Sequence, residues 1–378
     1  MWECGLAEDL ESANHIAQCF YTDLSNCRWK VGHFEIPRFA MAPPSTRASL
    51  PRPALDAKKF NRRLTLQCGR QVSYAEVGDP RGFPVICLLG MRGHRFHSYL
   101  YSNLAHNHGI RLFCIDRPGY GLSDHVAASD IPHPIAFVYI IEQFVSKLHI
   151  SRLGLMAQSA GSIYALALAA QESFVARLIQ PVMLIAPWVG IQNPGTLPLL
   201  KLAAFCPTVL LSAGIKLMDV SNDLTSMSAN PNYILAPLGA RVSAHANDDY
   251  PHPSHNDNDT IPFHEFQHGI QSEPNNVLQD AMLCLGKCRA GFGFDLHQLH
   301  RTLIHVYHGD RDALVPLKAA EEFVSVLPNA QLHVVKQGTH AILFDDALMD
   351  SVFAALGAAA KAASGCQNPL SQSTTTSL

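Results

Sequence analysis

Short apolar runs alternate with stretches of helical periodicity through the middle of this chain. Arg63-Leu-Thr-Leu-Gln67 and Gln71-Val-Ser-Tyr-Ala75 alternate apolar and polar positions, as half-buried strands do, with Gly69 in the turn between them. Continuous apolar runs follow at Pro84–Leu89, Ile110–Ile115, Leu153–Met156, Val182–Ile185, Leu303–Tyr307 and Leu332–Val335. Runs this short and this apolar suit strands covered on both faces. Helical spacing appears over Ile135–Leu148, Ile163–Leu178, Lys318–Leu327 and Ala347–Ala360. Strand and helix in alternation predict an α/β fold with a doubly wound, mostly parallel sheet. Its ligand site is expected beyond the carboxyl ends of the strands.

The rhythm fails between Ile191 and His300. Short apolar helices there alternate with polar loops, and acidic residues outnumber basic ones. Residues 191–300 are therefore expected to form a helical cap inserted into a core made of residues 60–190 and 301–364. Within the cap, 247–260 reads as a solvated loop. Residues 1–59 read as a partly disordered N-terminal extension, because Met41–Pro53 is rich in Pro, Ser, Ala and Arg without a period. The polar Ser/Thr run of 365–378 reads as a disordered tail. No internal repeat is present.

Composition narrows the classes. With 378 residues, 48% of them hydrophobic, a large buried core is affordable. The formal net charge of -3 gives no basic excess for a nucleic-acid partner. The 10 cysteines form no CxxC pair and no regular spacing, which speaks against a disulfide scaffold or a zinc finger. Cys87, Cys114 and Cys284 sit in apolar contexts and read as buried thiols. The acidic first 20 residues lack the order of a secretory signal, and the final Thr-Ser-Leu is a poor peroxisomal address, so a cytoplasmic location is the expectation. The stretch nearest to a membrane span, Leu202–Ile215, is short of the ~20 residues that cross a bilayer, contains Pro207 and is flanked by Lys201 and Lys216, so no integral membrane segment is expected. It reads as lid or core, with contact to a membrane surface as the lesser option.

Chemistry concentrates at three places. Ala157-Gln158-Ser159-Ala160-Gly161 follows a strand and opens a helix, the setting of the nucleophile elbow Gly-x-Ser-x-Gly. The sharp turn needs small neighbours, and Ala157, Ala160 and Gly161 are small; a helix-capping Ser is the plainer alternative. After the strand ending at Tyr307 comes His308-Gly-Asp-Arg-Asp312, in which Asp310 and Asp312 both qualify as an acid that orients a histidine. His340, past the last strand, completes the order Ser, Asp, His. In that arrangement His340 takes the Ser159 proton and Asp312 holds the imidazole. The N–H groups of Ala160 and of Met91, in the loop Gly90-Met-Arg-Gly93, are the candidate oxyanion donors. Arg92 is expected to be exposed rather than to meet an acidic substrate.

Val77-Gly-Asp-Pro80, Leu88-Leu-Gly-Met91, Ile115-Asp-Arg-Pro-Gly-Tyr-Gly-Leu-Ser-Asp124, Leu155–Tyr164, Ala186-Pro-Trp188 and Val306–His340 together resemble the α/β-hydrolase superfamily, and within it fungal members. The likeness spans about half of the chain, and an ordered set of motifs is specific. It implies the α/β-hydrolase fold, a hydrolase without cofactor, and a variable cap that sets substrate choice. The acid of such enzymes sits just ahead of an apolar pair and Pro, which favours Asp312. Two departures stand out: Leu89-Gly90 where relatives often have His-Gly, and Gln158 where they often have His. The implied activity is a serine hydrolase of the carboxylic-ester type acting on an ester, thioester or related acyl bond of a hydrophobic small molecule. C–C bond hydrolysis or acyl transfer by the same triad is the alternative, and a ligand-binding protein without turnover is a third reading. Oligomeric state is left open.

A competing motif is His264-Glu-Phe-Gln-His268, which fits His-Glu-x-x-His. Pro262 before it and Gly269 after it, with no third ligand in place, favour a polar loop over a metal site.

Overall fold

The computed structural model describes residues 30–31, 34–35, 55–125, 133–215, 263–288 and 291–365. The chain divides into two compact units, Met1–Leu50 and Pro51–Leu378. In the first, β1 (Lys30–Val31) pairs antiparallel with β2 (Phe34–Glu35). Most of the expected extension 1–59, the loop 247–260 and all but the first residue of the expected tail 365–378 lie outside the described residues.

In the second unit eight strands form one sheet: β3 (Arg62–Thr65), β4 (Gln71–Gly78), β5 (Phe83–Leu88), β6 (Ile110–Ile115), β7 (Gly154–Gln158), β8 (Val182–Ile185), β9 (Ile304–Gly309) and β10 (Ala330–Val335). Their order is β10-β9-β8-β7-β5-β6-β4-β3. From β6 to β10 every neighbour is parallel, whereas β3 and β4 run antiparallel at one edge. The result is an α/β fold with a mostly parallel sheet.

Successive side chains of a strand point to opposite faces. On β5, Ile86 and Leu88 join one core and Val85 and Cys87 the other. The first core is roofed by the helix Pro134–Lys147 through Phe137, Ile141 and Phe144 and by the helix Gly161–Ala169. The second is roofed by the helix Asp346–Gly365 through Met349, Val352, Phe353 and Leu356. Both faces of the central strands are therefore covered, which is why β5, β7 and β8 read as apolar runs. Each fully buried Phe or Leu contributes about 1.5–3 kcal/mol. The helix Pro134–Lys147 begins cleanly because Pro134 needs no partner for an N–H and the His133 ring accepts from Ile135 N–H at 3.3 Å.

Three expectations are corrected. The segment Ile163–Leu178 is not one helix: it stops at Ala169, Gln171 is extended, and a single turn covers Glu172–Val175. The break lets Leu178 bridge to Leu153 and enter the sheet, which a continuing helix would prevent. The end of the expected extension also belongs to the core, since Leu55 is buried there beside Phe60. Lastly, His264–His268 lies in a helix, Phe263–Ser272, because Phe266 and Ile270, one turn apart, bury together. The His264, Glu265 and His268 side chains lie outside the described residues.

Residues 191–300 contain helices at Pro198–Ala203, 208–215, Phe263–Ser272 and Val277–Cys284 and no strand among the described residues. Leu199, Leu202, Phe205, Val209 and Leu210 are exposed. Among the described residues no helix is long and apolar enough to cross a membrane.

Candidate active site

At the end of β7 the chain turns so sharply that Ser159 takes φ +48°. A left-handed backbone at a residue with a side chain is strained and persists only where the surroundings enforce it. They do so from several sides. Ser159 N–H donates to Ile185 O at 3.1 Å, and Trp188 N–H donates to Ser159 O at 3.0 Å. The Ser162 hydroxyl donates to the same carbonyl at 2.6 Å. Gly161 follows, and a Cβ there would lie 2.2 Å from Leu88 O. The turn can close against β5 only with glycine at this position.

The other two predicted residues arrive from the ends of β9 and β10. Their loops touch backbone to backbone: Arg311 N–H donates to Gly338 O at 2.8 Å, and a Cβ on Gly309 would fall 2.2 Å from that oxygen. This approach brings Asp312 to His340. Asp312 Oδ2 lies 2.7 Å from His340 Nδ1, and His340 Nε2 lies 2.9 Å from Ser159 Oγ. All three residues are buried, at 8% exposure for Ser159, 5% for Asp312 and 7% for His340. Asp310 points elsewhere, toward Lys336 at 3.8 Å. Between the two acids left open by the sequence, the histidine partner is Asp312.

Asp312 is held by more than the histidine. Its Oδ1 accepts from Leu314 and Val315 N–H, both at 2.9 Å. Burial pushes its carboxyl up, yet the hydrogen bond and charge of His340, the Val315 N–H and His308 together hold it below the usual carboxylate range. His308 lies 3.4 Å from Asp312 Oδ2 and meets Val315 O at 2.8 Å through Nε2. Burial pushes its imidazole below the ordinary histidine value, against the pull of the Asp312 charge.

The loop after β5 presses on the elbow. A Cβ on Gly90 would be 2.6 Å from Ser159 Cβ. Gly90 N–H donates to Gln158 Oε1 at 3.1 Å, so the residue that departs from the common His ties elbow to loop. Met91 forms a turn in which Gly93 N–H reaches Gly90 O at 2.9 Å. Ala160 lies at the start of the helix Gly161–Ala169, where N–H groups have no intrahelical partner. Arg92, expected to be exposed, is half-buried at φ +63° with its N–H 3.3 Å from the Tyr120 hydroxyl. Cys87, Cys114 and Cys284 are buried free thiols, as expected; burial helps hold the last two well above the ordinary thiol range, in Cys114 after the hydrogen bond with Cys87.

Two buried arginines went unnoticed in the sequence. Arg117 donates to Leu89 O and, at 2.9 Å, to Gly90 O, and it pairs with Asp280. The Tyr120 hydroxyl donates to the same carboxylate. Arg95 contacts Asp116 Oδ2 at 3.0 Å, Glu273 Oε2 at 2.6 Å, Phe60 O at 2.9 Å and Asn61 Oδ1 at 2.8 Å. The available signal was weak: Asp280 is a lone charge in the apolar helix Val277–Cys284, a position that calls for a buried partner. No group of three or more His, Cys, Asp or Glu side chains suited to a metal occurs among the described residues.

The comparisons with known proteins agree on the fold. No curated protein matches the sequence. A carboxylesterase structure from the ammonia-oxidizing thaumarchaeon Nitrososphaera gargenis superposes with TM-score 0.55 at 13% identity, covering 80% of this chain and 100% of its own. An esterase from a Rhodococcus species gives TM-score 0.50 at 16% identity, with coverage of 79% and 98%. A meta-cleavage product hydrolase from Pseudomonas fluorescens gives TM-score 0.51 at 16% identity, with coverage of 81% and 100%. At such identities the likeness is one of fold, and none of these sources is a fungus, so the resemblance to fungal members gains no support. The family model for the alpha/beta hydrolase family matches residues 85–352. That stretch takes in β6 to β10 together with Ser159, Asp312 and His340, and the chain belongs to the alpha/beta hydrolase family.

Proposed function

We propose that this chain is a serine hydrolase that cleaves an ester, thioester or related acyl bond through Ser159, His340 and Asp312. The observation that carries the proposal is the continuous chain of contacts, 2.9 Å from Ser159 Oγ to His340 Nε2 and 2.7 Å from His340 Nδ1 to Asp312 Oδ2. Both distances suit proton transfer and orientation of the imidazole.

In the proposed reaction Ser159 Oγ attacks the substrate carbonyl carbon while its proton passes to His340 Nε2. The carbonyl π electrons move to oxygen, and the N–H groups of Met91 and Ala160 receive that oxyanion. As the tetrahedral centre collapses, the leaving group departs with the proton from His340. Water then attacks the acyl-enzyme, giving one proton to His340, which returns it to Ser159 as the acid is released. Asp312, kept ionised by its neighbours, stabilises the imidazolium without itself taking the proton. The exposed apolar side chains Leu199, Leu202, Phe205, Val209 and Leu210 between β8 and β9 support a hydrophobic small-molecule substrate.

Fluorophosphonate labelling and turnover of p-nitrophenyl esters of graded chain length test this directly. The wild type is expected to be labelled and to turn over, and Ser159→Ala to lose labelling and to lower kcat by roughly 10⁶-fold. Labelling that persists unchanged in Ser159→Ala removes Ser159 from the mechanism. Labelling without turnover on any ester instead indicates a binding protein, or a C–C hydrolase or acyltransferase, to be resolved with diketones and non-water acceptors.

A further inference from the structure

The two hydrogen bonds from Arg117 end on the loop that carries one of the proposed oxyanion donors. The trans peptide is planar, so the N–H of Met91 points opposite to the carbonyl of Gly90, and the one cis bond among the described residues is Gln180–Pro181. Arg117 grips that carbonyl at 2.9 Å and the preceding one, of Leu89, with its other terminal nitrogen. Gln158 Oε1 takes the Gly90 N–H at 3.1 Å. The two peptide planes ahead of Met91 are thereby fixed, beside Ser159.

Arg117 is itself fixed from the far side. It is 2% exposed, its guanidinium lies over the Tyr120 ring at 4.4 Å from the centroid, and its counter-charge is Asp280. Asp280 belongs to the helix Val277–Cys284, in the interval between β8 and β9 that holds no strand among the described residues. A planar fork needs a partner in one place to present its remaining donors in one place.

We propose that Arg117 and Asp280 are positioning residues for the oxyanion site: the carboxylate on the helix Val277–Cys284 sets the guanidinium, and the guanidinium sets the Gly90–Met91 peptide so that the Met91 N–H faces the Ser159 hydroxyl. The oxyanion site is complete only while that helix is seated. This rests on the serine-hydrolase mechanism proposed above and assigns it a control point outside the triad.

The test compares binding of a long-chain trifluoromethyl ketone, which forms a tetrahedral oxyanion adduct with serine, with binding of the matching methyl ketone. Arg117→Lys, Asp280→Asn and Tyr120→Phe are measured beside Glu273→Gln, which loosens the separate Arg95 cluster. In the first two, kcat and the preference for the trifluoromethyl ketone are expected to fall together by about 10- to 100-fold with KM nearly unchanged, and in Tyr120→Phe by a few-fold, since losing a whole oxyanion donor costs about 10²- to 10³-fold. Glu273→Gln is expected to lower the unfolding midpoint and leave the preference intact. A purely structural role for Arg117 would give that same pattern in its own variants, and a preference unchanged in folded Arg117→Lys and Tyr120→Phe overturns the inference. Where the charge variants do not fold, an unchanged preference in Tyr120→Phe still overturns the inference, since that hydroxyl meets Asp280 and also receives the Arg92 N–H of the same loop. If the wild type forms no adduct at Ser159, the serine mechanism itself fails, and the inference with it.

Discussion

Ser159 holds a backbone conformation that its side chain disfavours, and the cost falls on the residues around it. Gly161 is the tightest of these, because its Cα sits where any Cβ would meet Leu88 O at 2.2 Å. Gly161→Ala is expected to destabilise the fold by about 1–3 kcal/mol through overpacking and to lower kcat as the elbow shifts. Urea denaturation with ester turnover on the same samples measures both. The three triad positions were legible in the sequence because each lies at a fixed offset from a strand end: Ser159 after β7, Asp312 after β9, His340 after β10. Arg117 and Asp280 were not, because they are 163 residues apart, and a buried ion pair leaves no periodicity. Between Asp310 and Asp312 only the family resemblance favoured Asp312, and the geometry agrees, because the loop of His340 reaches that carboxylate.

Among elements, the short connections that carry no regular pattern do most to join distant segments. Arg95 lies in the turn of helix Arg95–Tyr101 and links Phe60 and Asn61, Asp116 after β6, and Glu273 at the end of the helix Phe263–Ser272. Its removal leaves two buried carboxylates facing each other. Asp116 is already pushed above the usual carboxylate range by burial, which Arg95 opposes. Arg95→Met is expected to lose about 3–5 kcal/mol, the range for breaking a buried pair, as a lower urea midpoint. Strands and long helices were readable from apolar spacing. The break after Ala169 was not, because Ala-rich sequence continues a helical pattern while the bridge between Leu153 and Leu178 ends it. The helix Phe263–Ser272 was hidden in the same way, since Pro262 and Gly269 read as loop residues whereas Phe266 and Ile270 supply the buried face.

Across the whole molecule, pH dependence follows from buried histidines. His97 is fully covered, and burial, then the neighbouring His94, push it down from its ordinary value to about 3. His308 is lowered too, chiefly by burial. Below about pH 6.5 the unfolded chain binds more protons at these sites than the folded chain does. Unfolding free energy therefore rises with pH in that range and is lost on acidification, by up to about 1.4 kcal/mol per pH unit for each histidine. For His97 the window runs from the ordinary histidine value down to about 3. Asp312 has the opposite origin and the same direction: its folded carboxyl is lowered, so its contribution is present above the unfolded carboxylate value and disappears below it. Urea unfolding between pH 4.5 and 7.5 is expected to show the slope, and His97→Gln to flatten it by about one proton. An equal slope in the variant would assign the protons elsewhere.

The order of strands has a consequence for biosynthesis. β3 to β8 are neighbours of one another, whereas β9 and β10 add at one edge, after a long interval with no strand among the described residues. A growing polypeptide can pair the first six strands and shape the turn at Ser159 before its acid and base have left the ribosome. Until His340 emerges, that hydroxyl has no proton acceptor beside it. Under the proposed mechanism, the nascent enzyme is inert through most of translation and gains its chemistry only when the last edge is laid down.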